Sequence, residues 1–247
     1  MICYPYREEY QEECLRRIKE LERLGIVKLY SYGESIIRSI RVVGKGHSSI
    51  IALARHAALG DIALKIRRFD SKRESLIREG ELLKRAEVSG CTPKVHIYTR
   101  DFIVREFIEG EKLIDFIYRF YDDRNVMKRL IRSLITSSYA LDSLMIDLVE
   151  ISRADKQVIV ENSDPERIFY IDLESGRVSS QASNLTRIIS YIISRSIRRK
   201  RIIDVLDIDR DRINLLKSYA REYKKSSLEE KRFLVDKILE LLGLARG

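Results

Sequence analysis

Between Ser39 and Arg67 the chain holds three short segments rich in β-branched residues: Ser39 to Val43, Ser49 to Arg55 and Asp61 to Arg67. Gly44-Lys45-Gly46 and the stretch Ala57 to Gly60 separate them, the punctuation of tight turns between antiparallel strands. Amphipathic helical patterns flank this block. On the N-terminal side Leu15, Ile18, Leu21 and Leu24 recur every third residue, and Gly25 stands where a left-handed C-cap belongs. On the other side Ser71-Lys72-Arg73-Glu74 has capping-box spacing, and Leu76, Ile77, Leu82, Leu83 and Ala86 form the stripe of the helix it opens. A chain that switches period from helix to strand and back must build a mixed α and β fold.

Gly90 and Pro93 end that helix. Val95 to Tyr98 and Phe102 to Phe107 read as two further strands around a Thr99-Arg100-Asp101 turn, and Glu109-Gly110-Glu111 marks a pivot between two parts of the chain. Beyond it, Arg124 to Leu141 carries Met127, Leu130, Ile131, Leu134 and Ile135 at helical spacing. Val158 to Val160 and Ile168 to Ile171 are two short strands linked by Asn162-Ser163-Asp164-Pro165, with Asp172 directly after the second. From Asn184 to Leu244 the pattern is mostly helical, with a second capping box at Ser227 to Glu230.

Composition narrows the class. With 45% hydrophobic and 34% charged residues in 247, the chain buries a real core and is neither disordered nor collagen-like. The +9 net charge permits a polyanionic partner without requiring one, because both signs run along the whole chain. Only seven Gln and Asn residues occur and tryptophan is absent, a depletion of thermolabile amides that fits a thermophile. Cys3, Cys14 and Cys91 are widely spaced and lie in no CxxC, so reduced packing thiols are expected. Met1 to Arg7 lack the apolar stretch of a secretory signal and no run approaches the ~20 apolar residues of a membrane span. A cytoplasmic protein with no membrane partner is the expectation.

The order of elements resembles the protein-kinase-like fold, and local segments carry the resemblance. Gly44-Lys45-Gly46-His47-Ser48-Ser49 sits between the first two strands like a phosphate-covering loop, with Ser49 at the third glycine position. Ala63-Leu64-Lys65 resembles V-A-I-K, alternation placing Ile62, Leu64 and Ile66 on one face and Lys65 on the other. Arg78-Glu79-Gly80-Glu81 resembles the glutamate-bearing stretch of the following helix, and Phe102 to Gly110 the strand that runs into the hinge. Ile171-Asp172-Leu173-Glu174 stands where D-F-G stands in ordinary kinases. The chain is similar to small archaeal predicted serine/threonine protein kinases related to the RIO kinases, over roughly residues 40 to 194, including the Asn184-Leu185-Thr186-Arg187 helix start.

That resemblance implies an α+β, two-lobed fold: an N-terminal helical extension over 1–35, an N-lobe over 36–108 with a five-stranded antiparallel sheet and one helix, and a mostly helical C-lobe over 109–247. It implies ATP with Mg²⁺ or Mn²⁺, and transfer of the γ-phosphoryl group to a Ser or Thr hydroxyl of an unidentified protein. Gly44, Gly46 and Ser48 would cover the phosphates, Lys65 paired with Glu79 would position them, and Glu106 and Ile108 would meet the adenine edge. Asp172 would hold metal. No His-Arg-Asp is present. The segment Asp147 to Gln157 occupies its place, with Glu150 or Asp147 as the group that orients the hydroxyl and Asp155 as second metal ligand. Only 11 residues separate Asp172 from Asn184, and no A-P-E follows, so an ordinary activation loop is missing. A nucleotide-binding pseudokinase, a small-molecule phosphotransferase and an RNA-binding protein stay open beside the kinase. For the last, Arg195, Arg198, Arg199, Lys200 and Arg201 form a basic cluster near a helix end that offers an RNA or ribonucleoprotein contact.

Overall fold

Gly25 lies in the left-handed region, with φ of 75°, and stops the first helix as its position in the sequence predicts. The chain then enters a strand at once. The computed structural model describes residues 1–151 and 154–245 and shows an α+β fold whose sheets are antiparallel. The chain divides into two compact units, Met1–Lys84 with Pro93–Ile108, and Arg85–Thr92 with Glu109–Gly247.

The first unit contains α1 (Gln11–Arg23), β1 (Ile26–Leu29), β2 (Ser35–Ile37), β3 (Ile40–Val42), β4 (Gly44–Lys45), β5 (Ser49–His56), β6 (Gly60–Arg67), most of α2 (Ile77–Ala86), β7 (Val95–Tyr98) and β8 (Phe102–Glu106). Its main sheet has six strands rather than five, in the order β1-β5-β6-β8-β7 with β4 also on β5. The expected first strand, Ser39 to Val43, is not in it: β2 and β3 form their own hairpin. The edge is instead β1, which lies in the segment expected to be a helical extension, so residues 1–35 are part of this unit. Gly44-Lys45, expected as turn, pairs with Ile50 and Ile51, which moves the turn to Gly46–Ser48.

Ile62, Leu64 and Ile66 of β6 share one core with Ala52, Ala54, Phe102, Val104 and Leu21 of α1. The helix meets it differently from the sequence pattern. Arg17 and Leu21 are its buried residues, whereas Leu15 and Ile18 are exposed. Arg17 is drawn inward by Asp101, fully buried in the β7–β8 turn, which also accepts from Arg67 Nε at 2.7 Å and from Arg16. A polar anchor outranks the apolar stripe here. Likewise α2 starts at Ile77, not behind Ser71: Ser75 Oγ accepts from the Ile77 N–H.

Two cysteines depart from expectation. Cys3 and Cys14 form a disulfide with Cα atoms 5.4 Å apart, and Cys91 alone is a buried thiol. Compartment rules for thiols are statistical; neighbouring Cβ atoms decide the bond.

The second unit holds β9 (Gly110–Lys112), α3 (Leu113–Phe120), α4 (Arg124–Ser143), β10 (Ile146–Leu148), α5 (Ala154–Gln157), β11 (Val158–Glu161), β12 (Ile168–Tyr170), β13 (Gly176–Val178), α6 (Asn184–Ser194), β14 (Ser196–Ile197), β15 (Lys200–Arg201), α7 (Arg210–Tyr223) and α8 (Leu228–Leu241). The β11–β12 hairpin pairs Val158 with Tyr170. The expected pivot at Gly110 is a strand, β9, laid against β11 so closely that a methyl group on Gly110 would collide with Val160 O. Asp123 caps α4, and the Ser227–Glu230 capping box opens α8. The basic cluster follows the end of α6, whose C-cap is Arg195. Arg198 and Arg199, both at positive φ, form the turn of the β14–β15 hairpin. Among the described residues no helix is long and apolar enough to cross a membrane.

Candidate functional site

In the first unit Lys65 stands on β6, the central strand between β5 and β8, and its side chain is buried. Its ammonium group donates to Glu79 Oε1 at 2.6 Å, with both side chains 3% exposed. The sequence therefore named two residues, 14 apart, that the structure brings together. Glu79 is held over the sheet by Gly80, whose missing side chain lets α2 sit against the Tyr98 ring. The other carboxylate oxygen, Oε2, is buried and has no hydrogen-bond partner.

The glycine-bearing segment is a tight hairpin turn. The Gly46 N–H donates to Ser49 O at 2.9 Å, and Arg68 fastens the turn from the far end of β6, donating from Nη1 to Gly46 O at 2.7 Å and from its backbone N–H to Ser48 O at 2.8 Å. Ser48 is buried and His47 is exposed. Neither Gly44 nor Gly46 is in the left-handed region, and a Cβ on either would meet its neighbours only at ordinary contact distance.

At the expected hinge, Glu106 pairs with Ile62, its N–H donates to Lys94 O at 2.8 Å, and its carboxylate accepts from the Lys94 N–H. That N–H is thus already engaged. Ile108 is buried and Glu106 exposed.

In the second unit Asp172 follows β12 and its Oδ1 accepts from the Glu174 N–H at 3.2 Å. Asp172 and Glu174 each bring a carboxylate oxygen within 4.8 Å of the other's. Glu174 joins Asp172 although the sequence assigns it no role; the Asp-x-Glu spacing is the signal that marks it. Two other candidates are committed elsewhere. Asp147, on β10 and 1% exposed, forms ion pairs with Arg187 at 2.5 Å and Arg177 at 3.0 Å, so both its oxygens already have strong donors. Asp155 accepts from the Tyr191 hydroxyl at 2.6 Å and pairs with Arg195 at 2.5 Å. Among the described residues it joins no cluster of three potential metal-ligating side chains. Glu150 lies in the exposed turn after β10. Ser152 and Arg153, inside the expected catalytic segment, lie outside the described residues.

A buried polar network fixes β10 and that turn. Asn184, fully buried at the start of α6, accepts from the Leu148 N–H at 2.8 Å and donates to Ile146 O at 2.6 Å. Asp142, near the end of α4, accepts from the Asn184 and Leu185 N–H groups and the Tyr223 hydroxyl. Burial pushes the Asp142 carboxyl up to about 6, with those donors pulling against it. The hydroxyls of Tyr223 and Tyr191 are pushed up too, by burial first and by their carboxylate partners second.

No family model matches the chain. Over 120 residues it is 25% identical to an uncharacterized protein of Methanocaldococcus jannaschii, an alignment that takes in 49% of this chain and 98% of that protein.

Proposed function

We propose that this chain is an atypical, RIO-like protein kinase with two lobes, binding ATP through the first unit and metal through the second. The observation that carries the reading is the buried Lys65–Glu79 pair. An ion pair sealed from water is weak support for stability, so its presence asks for another reason, and positioning the α and β phosphates is one. The reading requires Lys65 and Asp172, which belong to different units, to reach one triphosphate. Asp172 with Glu174 offers hard carboxylate oxygens of the kind Mg²⁺ or Mn²⁺ takes, and such an ion neutralises charge on phosphate oxygens when bound. Of the base candidates, Glu150 is the one compatible with the reading, because Asp147 holds two guanidinium groups and serves to fix β10.

A second reading is a pseudokinase that binds nucleotide without transferring phosphate. The engagement of both Asp147 and Asp155 with arginines favours it. One experiment separates the two. ATP with Mg²⁺ should raise the melting temperature, and Lys65→Ala and Asp172→Ala should abolish that rise. Labelled γ-phosphate should then reach the chain or an added protein, less so in Glu150→Gln. Stabilisation without transfer selects the pseudokinase, and absence of any ATP-dependent stabilisation removes both.

A further inference from the structure

The disulfide was unexpected, and its surroundings give it a consequence. Cys3 lies ahead of α1 and Cys14 in its first turns, 11 residues apart. Tyr4, the residue next to Cys3, puts its ring against the Lys45 ammonium at 5.0 Å and the Arg68 guanidinium at 5.0 Å. Its carbonyl accepts from the Phe69 N–H at 3.0 Å. Arg68 is the residue that fastens the Gly46–Ser48 turn through Gly46 O and Ser48 O. A continuous line of contacts thus runs from the sulfur bridge through Tyr4 and Arg68 to the glycine-bearing turn, all within the first unit.

Apart from the bridge, Met1, Ile2 and Tyr4 pack against the edges of two apolar clusters, and few hydrogen bonds hold the segment. Arg17 Nη1 donates to Ile2 O at 3.2 Å, and cation–π contacts at a surface are individually weak. Arg68 at the same time makes a two-point pair with Asp70 at 2.8 and 2.6 Å, through nitrogens other than the one that donates to Gly46 O. Both bridged cysteines are partly exposed, and Cys3 lines a cavity of about 280 Å³ together with Met1, Leu29 and Ile37, which gives a reductant access. Cys91 is different. It is buried, and burial pushes its thiol up to about 11, so it takes no part in exchange.

We infer that the Cys3–Cys14 disulfide is a reversible redox clasp on the Gly46–Ser48 turn, opened by dithiol reductants. In opening, a reductant thiolate attacks one sulfur, the S–S bond breaks, and the other cysteine leaves as a thiolate that takes a proton. The reductant's second thiol then displaces the first cysteine. Two electrons reduce the protein to two thiols, and the dithiol becomes a disulfide. The inference stands whether or not the turn covers a nucleotide.

Thiol counting and hydrogen exchange test it. Alkylation of denatured, never-reduced protein should label Cys91 alone, and all three cysteines after dithiothreitol. In native protein, dithiothreitol should speed exchange of the 46–48 amides several-fold while β5 and β6 keep their protection. Cys3→Ser and Cys14→Ser should each reproduce the reduced state and make it insensitive to dithiothreitol. Three labelled cysteines without reductant, or a turn whose exchange ignores reduction, overturns the inference. So does a rise spread evenly over β5 and β6, because the bond would then hold the whole unit.

Discussion

Breaking the Lys65–Glu79 pair from one side should be far more damaging than removing it altogether. Glu79→Leu leaves an ammonium group, 3% exposed, without the carboxylate 2.6 Å away. Removing one partner of a buried, hydrogen-bonded pair costs about 3–5 kcal/mol, a large share of the roughly 5–15 kcal/mol that holds a typical domain together. Lys65→Met leaves Glu79 with both oxygens short of partners, since Oε2 has none to begin with. The double variant Lys65→Met/Glu79→Leu replaces both charges with apolar groups of similar length, a change that is commonly near neutral. It should therefore be more stable than either single variant. Urea denaturation with linear extrapolation measures all four proteins on one scale. The double variant also separates stability from binding: saturating ATP at about 100 times Kd adds about 2.7 kcal/mol to a protein that binds it, and the double variant should gain nothing. Single variants that lose less than about 1 kcal/mol would refute the reasoning from burial.

Asp101, Asp142 and Gly80 each offer a separate test. Burial raises the Asp101 carboxyl, but Arg17, Arg67 and Arg16 outweigh it and hold it below its ordinary value; its stabilisation is present above an unfolded pKa near 3.9 and lost as pH falls through the lower folded value. Asp101→Asn should cost about 3–5 kcal/mol at neutral pH and flatten the acid limb of the stability curve, and a variant with an unchanged acid limb refutes this. Asp142 works in the opposite direction: with a folded pKa of about 6, the native state holds a proton that the unfolded chain releases, so its contribution falls as pH rises from about 4 to 6. The stability difference between wild type and Asp142→Asn, followed across that window, should show the fall, and a flat difference would count against it. Gly80→Ala should destabilise by about 1–3 kcal/mol through collision with the Tyr98 ring, although alanine is the better helix former by about 1 kcal/mol; a stabilised variant would mean that α2 shifts freely.

Legibility in the sequence followed the range of the cause. Strands β5 and β6 were readable because alternation is a local signal: Ile62, Leu64 and Ile66 had to share a face, and they line the core. The Lys65–Glu79 contact was readable through the resemblance. The locking of Asp147 was not, because Arg177 and Arg187 lie 30 and 40 positions downstream and no periodicity connects them. Nor was the inward turn of Arg17, which depends on Asp101, 84 residues away. The β14–β15 hairpin was missed for a chemical reason: two-residue hairpin turns favour Asn and Gly at left-handed positions, and here Arg198 and Arg199 occupy them.

Glycines give the sharpest contrast between what the fold needs and what it tolerates. Gly33 and Gly110 abut backbone, and Gly80 abuts a ring, so the fold itself excludes side chains there. Gly46 has no such reason: its backbone is outside the left-handed region and the nearest atom to a Cβ is Ser49 O at 3.5 Å. Gly46→Ala should thus leave the melting temperature unchanged or slightly raised, since alanine reduces the freedom of the unfolded chain. If the turn lies over phosphate, the methyl group stands where an anion would approach the backbone amides, and ATP-dependent stabilisation should drop while the fold persists. Wild-type nucleotide stabilisation in Gly46→Ala would show that this turn has no phosphate to cover, and the glycines would then be ordinary hairpin residues.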